Sequence, residues 1–87
     1  SAAAPAPARR LAYKDRLALA RLPQDMADAE ARIATLRGAL ADPDLYARDP
    51  DRFTRAGTAL AQAEAALARM EEEWLTLEMR RAEIEDA

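Results

Sequence analysis

The chain's 87 residues suffice for one small domain but not for a wide globular core, because below roughly 70 to 80 residues a single core seldom supplies more than about 3 to 5 kcal/mol. Hydrophobic residues make up 51%, yet alanine dominates them, valine is absent and Ile33 and Ile84 are the sole β-branched aliphatics, so the composition argues against a sheet protein and for helix. A net charge of -3 argues against a chain built mainly to grip polyanions, and the absence of cysteine and histidine removes disulfides and the usual transition-metal sites.

The chain opens with SAAAPAPA, alanine and proline alone, a composition that prefers extended, semi-rigid conformations and buries nothing. Residues 1–10 are therefore expected to be a linker from a preceding domain, and 11–87 the hairpin domain proper. The first residue is serine rather than methionine, which points to a piece cut from a longer protein. The opening lacks the charged and apolar regions of a signal peptide, and no apolar run approaches the ~20 residues that span a bilayer. A cytoplasmic location without a membrane partner is expected.

From Arg9 the pattern changes. Leu11, Tyr13, Leu17, Leu19 and Leu22 predict a short amphipathic helix ending at Pro23, since proline removes a backbone donor and restricts the residue before it, making Leu22 a boundary or kink. Beyond it Met26, Ala29, Ile33, Leu36 and Leu40 recur at spacings of 3 and 4, the seam of a helix lying along another helix. Asp42-Pro43 stops this helix. Asp49 then caps a second, with Pro50 in its first position and Asp51 near its positive end. Leu45 and Tyr46, between the two Asp-Pro pairs, are read as an apolar plug over the open end of the seam.

The second helix carries Phe53, Ala56, Leu60, Ala63, Leu67, Met70, Trp74, Leu77 and Ile84, with Arg81 as a charge in the seam. An antiparallel turn-back pairs Leu36 with Leu60, Ile33 with Ala63, Ala29 with Leu67, Met26 with Met70 and Leu22 with Trp74. The second helix overshoots Pro23, and the N-terminal segment has the length to cover the excess. Charge agrees: residues 9–22 carry a net +4 and residues 71–86 a net -5. The predicted fold is thus all-α, an antiparallel helical hairpin forming an intramolecular two-stranded coiled coil. A short N-terminal helix packs on the end of its long second helix, and a monomer is expected.

No catalytic constellation is present. Ser1 is the single serine, the threonines have no candidate base, and no GxxxxGK[ST] stretch exists. Glu71, Glu72 and Glu73 point about 100° apart on a helix and do not converge on a metal. This fragment is expected not to be an enzyme, and to hold no catalytic residue, metal or cofactor. Phosphate contact is the chemistry its basic residues suggest. One patch gathers Arg9, Arg10, Lys14, Arg16 and Arg21 near the linker, where pairing with the acidic end of the second helix competes with any ligand; Arg9 and Arg10 are the least neutralised. A second patch lies toward the tip: Arg32, Arg37, Arg48, Arg52 and Arg55, diluted by Asp42, Asp44, Asp49 and Asp51. Tyr46 is the best placed aromatic for stacking on an exposed base. The candidate nucleic-acid contacts are therefore Arg9, Arg10, Lys14, Arg32, Arg37, Arg48, Arg52, Arg55 and Tyr46.

The pair Tyr13-Lys14, the pair Leu22-Pro23, the run LADPDLYARDPDRF and the stretch WLTLE at residues 74–78, in this order, resemble the C-terminal coiled-coil domain of ABC-F ATP-binding proteins of the Uup type, over nearly all of residues 11–84. The resemblance implies a domain that follows two ATP-binding cassettes. ATP and magnesium would belong to those cassettes in the parent protein, with DNA or the ribosome as partner of the hairpin. The expected function is a non-catalytic accessory domain contributing nucleic-acid or ribosome binding through phosphate contacts. The alternative is a protein-interaction or spacer coiled coil with no direct nucleic-acid contact.

Overall fold

A computed structural model describes residues 10–86. Three helices follow in order: α1 (Tyr13–Leu40), the single turn α2 (Leu45–Arg48) and α3 (Pro50–Asp86). α1 and α3 pack against each other along their lengths and α2 packs on α3, giving the expected helical hairpin, with principal extents of 71 × 24 × 17 Å. No helix among the described residues is long and apolar enough to cross a membrane.

The tip is built from the two Asp-Pro pairs. Asp42 accepts the Asp44 backbone N–H on Oδ1 at 2.9 Å and the Arg48 guanidinium on Oδ2 at 3.1 Å, so its side chain closes the turn that Pro43 forces. Asp49 accepts the Arg52 N–H at 3.0 Å. That bond satisfies one of the donors a helix start leaves open. Leu45 alone of the expected plug is buried, at 3% exposure. Tyr46 meets the Phe53 ring edge-on with centroids 5.3 Å apart, yet remains 63% exposed.

α1 runs through Pro23 without interruption, so the segment expected as a separate N-terminal helix is the first part of α1 and covers the end of α3 from there. The cost of an internal proline is about 3 kcal/mol. Against it stands the burial of Leu22 and Ala18 with Leu77, flanked by Leu19, Met26 and Met70, where each large side chain contributes about 1.5 to 3 kcal/mol. Pro23 itself faces solvent, so its ring takes no space in the seam.

The helices run antiparallel, as expected. Arg80 donates to Asp15 at 2.7 Å near the base, and Arg37 donates to Glu64 at 3.0 Å toward the tip. Ile33 and Ala63, expected as one layer, are both buried. The expected layer of Leu22 with Trp74 is not formed: Leu22 packs with Leu77, while Trp74 lies at the margin, 37% exposed.

Candidate nucleic-acid interface

Two of the expected contacts are engaged within the fold. The Arg37 guanidinium is held by Glu64 and that of Arg48 by Asp42. Both side chains remain about two-thirds exposed, so these pairs are weakened by water and salt. Their role at the surface is structural before it is anything else. Hydrogen bonding by the Asp44 backbone N–H, and then the charge of Arg48, holds the Asp42 carboxyl below its ordinary pKa.

Arg52 and Arg55 differ from these. They occupy the first turns of α3, are exposed, and make no ion pair among the described residues. Three residues apart on a helix, they share a face. Arg32 is also exposed and unpaired, but it lines a cleft with Asp25 and Asp28. The opposite side of the hairpin is acidic, with Glu30, Glu64 and Glu71 around a cleft that holds the single cation Arg37. A polyanion laid along either flank meets carboxylates beside these cations, whereas Arg52 and Arg55 line neither of the two clefts.

At the base, proximity of the basic and acidic termini does not become mutual pairing. The ion pair that crosses between the helices there is Asp15 with Arg80, the acid of the basic end with a base of the acidic end. Arg10, Lys14, Arg16 and Arg21 are exposed and form no ion pair among the described residues. Arg9 and residues 1–8 of the expected linker lie outside the described residues. Arg81, read from sequence as a charge in the seam, turns back along its own helix to Glu78 and Glu85. Hydrogen bonding by Glu78 leads the causes that raise its pKa. It lines a cleft with Arg10 and Arg16, a grouping that residue spacing could not signal because it joins positions some 65 to 71 apart.

The fold and these surfaces define a class: a helical hairpin module with no clustered set of metal-binding side chains among its described residues, and with function confined to its surface. The family model described as ABC transporter C-terminal domain matches residues 10–79, and the chain belongs to that family. It is accordingly an accessory domain of an ABC protein and not a catalytic one, in agreement with the Uup-type resemblance of its sequence. No curated protein and no solved structure matches it.

Proposed function

We propose that this hairpin is a nucleic-acid- or ribosome-binding accessory domain of an ABC-F ATPase, working through phosphate contacts at its tip. The observation that carries this reading is the state of Arg52 and Arg55: both exposed, on one helix face, and without an ion pair among the described residues, near a tip that also exposes the ring of Tyr46. Arg48 adds a third guanidinium held in place by Asp42. A cation already ordered by one carboxylate reaches a phosphate with little further loss of freedom. ATP and its magnesium would be held by the parent protein's cassettes, and the hairpin would tether or orient them on the nucleic acid.

The test is a gel shift with duplex DNA and with structured RNA. Arg52→Glu combined with Arg55→Glu is expected to abolish binding without unfolding the domain, since acidic residues near a helix N-terminus are favourable. Three phosphate contacts give a log–log salt slope near -2.7, about a 40-fold loss of affinity between 50 and 200 mM salt. Binding that survives both the substitutions and the salt would refute the reading.

A second reading, the protein-interaction or spacer module, is favoured by one observation. Tyr13, Leu17, Leu75 and Met79 are apolar residues 44 to 72% exposed, all near the base of the hairpin. Association that ignores salt and is lost on Leu75→Ser with Met79→Ser would select it.

A further inference from the structure

The base of the hairpin holds a cleft of about 230 Å3 lined by Arg10, Leu11, Arg16, Arg81, Ile84 and Glu85. Its floor is apolar: Leu11 is 7% exposed and Ile84 half-buried. Arg10, Arg16 and Arg81 thus line one small space together with a single carboxylate residue, Glu85. Glu85, together with Glu78, is committed to Arg81. Arg10 and Arg16 have no carboxylate partner among the described residues, and Arg16 has instead the face of Tyr13, 6.0 Å from its ring centroid.

Like charges gathered around one low-dielectric wall raise the local potential and draw in an anion. The guanidinium is a planar fork whose paired N–H groups match two oxygens of a phosphate or a carboxylate. A carboxylate is the poorer match here. It offers two oxygens and one negative charge, enough for one fork, and the cleft already supplies its own carboxylate to Arg81. A phosphate presents three acceptor oxygens and up to two charges, which suit the two unengaged forks of Arg10 and Arg16.

We propose that this cleft is a phosphate-binding site, in which Arg10 and Arg16 grip the oxygens beside the apolar floor, the charge of Arg81 being already met by Glu78 and Glu85. The site is separate from the tip: the 37 residues of α3 put about 55 Å between the two ends at 1.5 Å per residue. It stands whether or not Arg52 and Arg55 bind nucleic acid. Its phosphate is either that of a nucleic-acid backbone or a free phosphate compound.

The experiment uses the 87-residue chain and pyrophosphate as the probe, titrated at low salt with calorimetry and with backbone amide NMR. Saturable binding is expected, with the largest shifts at residues 10–16 and 81–85. Affinity should fall at least tenfold in the Arg10→Gln, Arg16→Gln variant and stay unchanged in an Arg69→Gln variant, a surface cation of mid-α3 outside the cleft, with helical circular dichroism equal in all three. Competition by a short DNA duplex would assign the phosphate to a nucleic-acid backbone, and its absence to a free phosphate; either result keeps the site. No saturable binding to the unmodified chain, or equal affinity in the Arg10, Arg16 variant, overturns the proposal.

Discussion

At the scale of single residues the tip depends on two aspartates with different tasks. Asp49 receives the helix's open backbone donor; Asp42 holds both the turn's backbone and Arg48. Because its pKa is lower in the folded chain than in the unfolded one, Asp42 adds stability that is fully present above the ordinary aspartate value. That contribution is lost as pH falls through the lower folded value, so acid titration below about pH 4 should weaken the tip. Asp42→Asn, which retains an oxygen for the Asp44 N–H but does not titrate, is expected to flatten the pH dependence of the melting temperature in that window. An unchanged profile would show that Asp42's ionisation is irrelevant to the turn. The Asp49 cap was legible beforehand, from its place before Pro50, whereas Asp42 was read only as the stop before Pro43 and its hold on the turn came from the folded tip. Tyr46 was less so: adjacency made it a plug with Leu45, but a one-turn helix turns neighbouring side chains in different directions, and only Leu45 points inward.

At the scale of elements the two long helices show how burial outweighs local preference. Pro23 lies inside α1 because Leu22, on its inner side, is locked to Leu77. Sequence alone reads a boundary there, since the cost of proline is local and visible while the offsetting partner is 55 residues away. The glycines carry the opposite lesson. Gly38 in α1 and Gly57 in α3 have ordinary negative φ, and a Cβ built on either meets no atom within 4 Å. Their flexibility serves no turn or close approach. Gly38→Ala and Gly57→Ala are each expected to raise stability by about 0.5–1 kcal/mol, read from urea denaturation. A loss in either variant would mean that the helix needs an unfilled surface there.

At the scale of the whole molecule, stability is spread thinly along a narrow seam. The buried cluster of Ala18, Leu22 and Leu77 sits at the base, far from the hydrogen-bonded tip. Leu77→Ala should therefore cost about 2 to 5 kcal/mol, a large share of what so small a domain possesses. Hydrogen exchange in that variant is expected to show residues 13–22 losing protection while amides near Phe53 and Leu45 retain theirs. Uniform loss along both helices would instead mark the hairpin as one cooperative unit. The same narrowness shapes function. With too little interior to enclose a site, the chain carries its cations on its surface, and along its flanks carboxylates lie beside them.

Local chemistry and periodicity were enough to establish, from sequence, that the chain is helical, where it turns, how its seam is spaced and which way it doubles back. Each of those properties is set by residues within a turn or a heptad of one another. Three others required the folded molecule: the continuity of α1 through Pro23, the displacement of Trp74 to the margin and the gathering of Arg10, Arg16 and Arg81 around one cleft. Each is decided by side chains distant along the chain competing for the same volume or the same carboxylate. Packing resolves such competition in three dimensions; a one-dimensional spacing does not contain it.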